Sequence, residues 1–455
     1  MTPRSSSSGP DLDLRPRLVR TTRSSRRGCL PSSAYIRLAR GYYWLPDRDA
    51  ERWQHRHTLS LARAVVAQRT QLAAACLSHA SAALVLDLDM FSQEPDVYLA
   101  VPSAPRQVHV TLPRIWVPDH GIPVSISDDS VGPSSCRGIT LWRRHLTLSS
   151  NEVVPVGRVV TTTALRTAYD CAFDEPPHNA LAIADSVLRR CCRPNRERPE
   201  LCQAATARVR QEWAHMLERE PRRRGVAQAR AVLGLATPFA ESVLESAVRW
   251  LVLVLGLPIP QVQHPIDTPE GCWWVDLCWP GQRLVLEVDG RKKYQGSEDL
   301  WKEKRRQDGI ETQGWTVLRV SYGDMMRPDR LGAKILTRFP PAEVARLRPR
   351  QDLAWTGMRL ETGLREASLL GRRLPRGAGR GCVQKGWTAC SAAVRAPTAR
   401  GWGATGRHRG VLHDGRGVGQ CGQVTASRSR GSWSGREAGA GVRAGASRRG
   451  RPPSR

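Results

Sequence analysis

The alternation of apolar and polar positions predicts a mixed helix and strand order through residues 31–175. HTLSLARAVVAQR (57–69) places apolar residues at helical spacing, and so does QLAAACLSHASAALVLDL (71–88), whose Ala and Leu content predicts a second helix. AYIRLARGYYWL (34–45) is rich in aromatic and β-branched residues around an Arg-Gly turn, a strand-like pattern. DVYLAVP and QVHVTLP alternate with period two and predict a pair of strands. VVTTTALRTAYDCAF (159–173) predicts a strand running into a helix with Thr163 as N-cap. Residues 176–236 read as a helical, Arg-rich linker region.

A second block begins at Thr237. FAESVLESAVRWLVLVLGL (239–257) predicts a helix stopped by Gly256 and Pro258. Next come three strand-like pieces: PQVQHPI, GCWWVDLCW and QRLVLEVDG. Then come a charged helix (297–314), the strand WTVLRVS and a helix near RLGAKILTRF. The order is α-β-β-β-α-β-α, so the fold class expected is α/β. Beyond residue 346 periodicity vanishes into Gly, Arg, Ala and Ser, which cannot bury enough apolar surface to offset ordering entropy. Residues 346–455 are expected to be a disordered basic tail. One reading of it is a nucleic-acid-binding arm. The other, which composition favours, is a non-functional extension resembling out-of-frame translation of G+C-rich DNA. Residues 1–30, polar and rich in Ser and Arg, are also expected to be disordered.

Charge sharpens this division. The chain of 455 residues carries a formal net charge of +28. Residues 346–455 hold 23 Lys and Arg against 5 Asp and Glu, residues 1–30 hold 7 against 2, and residues 31–345 hold 40 against 35. Attraction to nucleic acid is therefore concentrated in the ends. The longest apolar run, 250–257, falls far short of the ~20 residues of a membrane span. No secretory h-region is visible near the start. The twelve cysteines contain no Cys-x-x-Cys spacing, so reduced thiols in a cytoplasmic protein are expected rather than zinc or a disulfide framework.

Candidate chemistry lies in LVLEVDG (284–290). Strand side chains alternate faces, so Glu287 and Asp289 share a face with Val285. In WWVDLCW, Asp276 shares a face with Trp274 and Cys278. The PGQ hairpin sets Asp276 near Glu287. Like charges facing across strands repel, and a divalent metal would turn that repulsion into coordination. Glu241 and Glu245, four apart, share one helix face from which either could reach the metal. Lys292 and Lys293 come after the strand, and Lys302, Lys304, Arg305 and Arg306 lie on the next helix. Phosphodiester hydrolysis needs such a set: oxygen ligands for Mg²⁺ and cations for developing charge. The bland readings are a salt-bridged sheet and a solvated helix face. His79, without a Ser or Asp partner pattern, reads as a packed or capping histidine, and the tryptophans at 250, 273, 274, 279 and 301 as core.

ESVLES, LPIPQVQHPI, WWVDLCW, LVLEVDGRKKY, KEKRRQDGIETQGWTVLRV and YGDM (237–340) together resemble the PD-(D/E)xK nuclease fold, in its very-short-patch-repair-like endonuclease branch. The resemblance implies a restriction-endonuclease-like αβββαβ core. It implies Glu245 as the helix acid, Asp276 and Glu287 as ligands of Mg²⁺ or Mn²⁺, and Gln263 as a recurrent polar neighbour. Asp289 stands where the signature has Lys. Lys293 is the expected substitute, Lys304 the second choice, with Arg305 beside it in support. Upstream, ARGYYWLP, CLSHASAALVLDL, VYLAV, VVTTTALRTAYDCA and NALAIADSVLRR resemble the AbiEi-type antitoxin of type IV toxin–antitoxin systems, whose winged helix is expected to be truncated here. The function expected is a metal-dependent DNA endonuclease. The alternative is a non-catalytic DNA-binding antitoxin-type repressor with a cognate operator or toxin partner. No residue is singled out for binding nucleic acid.

Overall fold

In the computed structural model, Ile36, Leu38 and Trp44 turn one face of a small sheet inward, as their alternation requires. The structure describes residues 16–21, 35–71, 76–126, 138–289 and 297–355, with only the backbone of 297–303. They belong to one unit, Met1–Ala378, while Gly379–Arg455 lies outside the described residues.

The small sheet comprises β1 (Arg17–Arg20), β2 (Ile36–Ala39) and β3 (Tyr42–Leu45), in the order β1-β3-β2. It covers α1 (Arg52–Thr70) through Leu59, Ala62 and Val66. A six-stranded sheet comes next, built from β4 (Cys76–Leu77), β5 (Val97–Val101), β6 (His109–Thr111), β9 (Thr140–His145), β10 (Val153–Val156) and β11 (Val159–Thr162), in the order β10-β11-β4-β5-β9-β6. The helix α2 (His79–Val85) follows β4, and a ribbon of β7 (Ile115–Trp116) and β8 (Val124–Ser125) lies apart from the large sheet. Helices α3 (Ala164–Asp174), α4 (Pro177–Cys192), α5 (Gln203–Arg219), α6 (Val226–Leu235) and α7 (Val243–Val254) lead to a four-stranded sheet, the second of the two larger ones and called the second sheet below. Its strands are β12 (Gln261–Thr268), β13 (Gly271–Trp279), β14 (Leu284–Asp289) and β15 (Thr316–Ser321), in that order, with α8 (Ser297–Thr312) between the last two. The first two pairings are antiparallel and β14–β15 is parallel. The short helices α9 (Tyr322–Met325), α10 (Pro328–Leu336) and α11 (Pro341–Val344) close the described chain. From α7 to β15 the order is α-β-β-β-α-β, as the hydrophobic pattern predicts.

Several expectations need correction. Residues 71–88 are not one helix: Cys76 and Leu77 form a strand between β11 and β5, because pairing inside the sheet overrides alanine's helix preference. The strands β5 and β6 do not pair; β9 inserts between them. Arg17–Arg20 forms a strand paired with β3, so residues 1–30 are not disordered throughout, and the rest of that reading lies outside the described residues. Order also continues past residue 346. Leu353 is wholly buried, its carbonyl accepts from the Trp250 indole, and Arg350 N–H donates to Val254 O. The tail from 356 onward lies outside the described residues. The 176–236 segment is more than a linker. Leu181, Ile183 and Leu188 of α4, Trp213 of α5 and Leu251 of α7 share one hydrophobic core with Leu286 and Leu318 of the second sheet.

Candidate functional site

Asp276 and Glu287 stand at one end of the β13–β14 pair, and Glu245 approaches Asp276 from α7. The ladder joins Leu277 to Leu286, Cys278 to Val285 and Trp279 to Leu284. One step further, at Asp276 and Glu287, a side chain takes over: Asp276 Oδ2 accepts from Val288 N at 2.8 Å. The pleat also slips here. Val275 and Cys278, three apart, both pack with Val285 and Ile310 on the α8 side, while Leu277 and Trp279 pack in the core containing α7. Across on β12, Gln263 is buried with φ +49°, a left-handed conformation rare for a residue with a side chain. Its amide reaches Asp276 Oδ1 at 3.3 Å. Asp276 is therefore held from both neighbouring strands at a break in the alternation.

Glu245 enters from the first turn of α7. Ser242 caps that helix by accepting from Glu245 N, and Glu245 Oε2 accepts from Glu241 N at 2.9 Å. The side chain is buried, and burial together with the Asp276 charge pushes its pKa up to about 7. Burial also raises Asp276, against the hydrogen bond from Val288 and the nearby Arg306 charge, which lower it.

Glu287 is engaged differently. Arg306 of α8 grips it at two points, Nη2 to Oε1 at 2.8 Å and Nη1 to Oε2 at 3.3 Å, and the same Nη2 donates to Trp274 O at 2.8 Å. Asp289, half-exposed, lies 3.5 Å from Arg319 of β15. Lys304 and Arg305 are exposed on α8, and Lys293 lies outside the described residues. Arg306 is the participant that sequence reasoning missed as a site residue. It stands in the basic run 304–306, and only the packing of Ile310 against Val285 and Cys278 tells which member turns inward.

Among the described residues, no three His, Cys, Asp or Glu side chains converge as a metal-binding group. Two carboxylates nevertheless suit Mg²⁺, which keeps much of its water and is commonly held by one or two acids plus substrate phosphate. Glu245 and Asp276 fit that description: both are oxygen donors, one charge disfavours the other, and their hydrogen bonds come from amide and backbone N–H groups rather than from a cation. Beside Gln263 opens a groove of about 310 Å³ lined by Phe239, His264, Trp274 and Arg196. Arg196 lies over the Trp274 ring and 3.7 Å from Glu241.

His79 is buried with φ +49°, stacked on Tyr98, and shares hydrogen bonds with Ser78 Oγ and with Asp174. Burial alone would raise Asp174, but His79, Arg144 and Arg223 hold it down at about 2. This is a packed polar network whose acid lies 95 residues away in the chain, which no local pattern could reveal.

Two proteins of Mycobacterium tuberculosis resemble this chain: "Uncharacterized protein MT2308" of strain CDC 1551 / Oshkosh and "Uncharacterized protein Rv2248" of strain ATCC 25618 / H37Rv. Each is 33% identical over 193 residues, a match covering 42% of this chain and 65% of the relative. The chain thus spans less than two thirds of the length of these relatives. No protein-family model matches the chain, and no solved structure matches it. No helix among the described residues is long and apolar enough to cross a membrane.

Proposed function

We propose that the site at the end of β13 and β14 hydrolyses phosphodiester bonds of DNA with Mg²⁺ or Mn²⁺. The observation that carries this reading is the meeting of Glu245 and Asp276, with Glu245 raised to about 7 by burial and its neighbour's charge. Acids brought together against their own repulsion mark sites built for cations or proton transfer. The resemblance of 237–340 to PD-(D/E)xK nucleases, and the α-β-β-β-α-β order, support the choice of chemistry.

Asp276 and Glu245 would hold the metal, whose contribution is to lower the pKa of an attacking water. The chain's own residues do the rest. Gln263 and Val288 N–H fix the Asp276 carboxylate. Glu245 can hold or release a proton near neutral pH, so a bound cation draws it into the ionised state. Lys293, with Lys304 second, would stabilise charge on the phosphate. The test is a plasmid-nicking assay with Mg²⁺ or Mn²⁺ on wild type, Asp276→Ala and Glu245→Gln. We expect loss of cleavage by about a hundredfold or more in Asp276→Ala; equal cleavage by all three proteins would sink the proposal.

A second reading, an antitoxin-type DNA-binding repressor, is favoured by four exposed arginines, Arg17, Arg20, Arg37 and Arg40, on or beside the small β1-β3-β2 sheet. In the same experiment it gives salt-dependent retention of DNA with no nicking by any of the three proteins.

A further inference from the structure

The strand ends that carry the site lead directly to a group of surface cations. In the parallel β14–β15 ladder Val288 stands beside Val320 and Asp289 beside Ser321. Asp276 accepts from Val288 N, so it lies level with the end of β15 and two strands away from it, roughly 10 Å at the ~4.8 Å spacing of strands. There the chain turns into α9 and α10. The helix α10 has two faces. Leu331, Ile335 and Leu336 are buried in the core that also holds Leu251 of α7 and Leu286 of β14, so α10 lies on the same side of the sheet as the helix carrying Glu245. The other face presents Arg327, Arg330 and Lys334, all exposed, at the spacing i, i+3, i+7.

These three line a groove of about 380 Å³ between α9 and α10. No ion pair of Arg327, Arg330 or Lys334 is found among the described residues. The carboxylate of the groove, Asp324, is taken up by the cap of α9: it accepts from Ser321 N and from the Ser321 hydroxyl. Those hydrogen bonds, and then the charges of Lys334 and Arg327, hold its pKa below the usual carboxylate range. Three cations thus share one face with their charge uncancelled. From the first to the last is roughly 10 Å of helix, the length over which one strand of duplex DNA carries about three phosphates at ~3.4 Å of axis each.

We infer that the Arg327, Arg330 and Lys334 face of α10 is a nucleic-acid-binding surface that holds successive backbone phosphates of DNA beside the acids of the site. This rests on the proposed nuclease reading for the phosphate that stands at Asp276 and Glu245. It supplies what those acids cannot, cations that hold the strand. Contacts of this kind position DNA without reading its sequence.

Binding in EDTA tests this without cleavage. The full chain is titrated into a fluorescently labelled DNA duplex over a range of salt concentrations. Arg327→Ala/Arg330→Ala/Lys334→Ala is compared with Arg106→Ala/Arg158→Ala/Arg208→Ala, which removes the same charge from exposed positions before β6, between β10 and β11 and on α5. The basic residues beyond 355 are common to all the proteins. The α10 variant is expected to lose affinity about tenfold or more and to flatten the slope of log affinity against log salt by about 2–3, whereas the control loses less than about twofold. Arg327→Lys/Arg330→Lys keeps the charges and should bind within about twofold of wild type. Equal losses in the two triple variants, as a merely solvated helix face gives, overturn the inference. So does an unchanged salt slope in the α10 variant, a loss in the lysine variant as large as in the α10 triple variant, or no binding of the duplex by wild type. The expected binding series without any nicking removes the nuclease reading and leaves this one standing; nicking with equal losses in the triple variants removes only this one.

Discussion

Glu245 holds its proton to about pH 7 in the folded chain, against 4.5 for an ordinary glutamate. Between those values the folded state binds more protons than the unfolded one, so Glu245 makes stability fall as pH rises from about 4.5 to about 7 and then level off. The loss amounts to about 3 kcal/mol at most for a buried group. Asp276, also raised by burial, works in the same direction. Glu245→Gln removes its share. We expect its melting temperature to change less between pH 5 and pH 8 than that of wild type; parallel curves for the two proteins would contradict the assignment. The same residue shows how far a local pattern reaches. Ser242 and Glu245 stand at capping-box spacing before an apolar run, and the helix starts there, at Val243, not at Phe239 where the apolar pattern put it. That Glu245 bends back to Glu241 N near Asp276, rather than into solvent, depends on a strand some thirty residues later in the chain.

Among the elements, α7 joins the site to the rest of the core. Its apolar run predicts a buried helix, and Gly256 its end. Gly256 has φ +81°, and a Cβ there would collide with the Arg348 carbonyl, because the segment after α11 lies against the end of α7. Both constraints act at one residue. Gly256→Ala should therefore destabilise the protein by about 2 kcal/mol or more, read by urea unfolding. A change under about 0.5 kcal/mol would show that the segment yields without penalty. The strands were legible as strands because β12, β13, β14 and β15 are rich in β-branched and aromatic residues. Their order was not. Neither the insertion of β9 between β5 and β6 nor the left-handed Gln263 opposite Asp276 leaves a mark in local periodicity.

For the whole molecule, the decisive contact is buried and polar. Asp185 of α4 accepts from Thr237 N, Ser246 Oγ and Arg249 Nη2, all within 2.5–2.7 Å, and Arg249 also donates to Leu235 O. This fastens the 176–236 helices to α7, the helix that carries Glu245. Asp185→Ala leaves the buried Arg249 without its carboxylate and should destabilise the chain by about 3–5 kcal/mol in chemical denaturation. Denaturation in two separate transitions would instead mean that the helices and the second sheet fold independently.

Sequence by itself determined the α/β class, most helices and strands and the α-β-β-β-α-β order, because periodicity and residue type act over a few neighbours; it left Glu241 and Glu245 open as the helix acid, and only the nuclease resemblance chose between them. Tertiary structure decided which acids are available. The slip of the pleat at Asp276, the grip of Arg306 on Glu287 and the Asp185 network all join residues far apart in the chain, and their energies exist only once the chain has closed on itself.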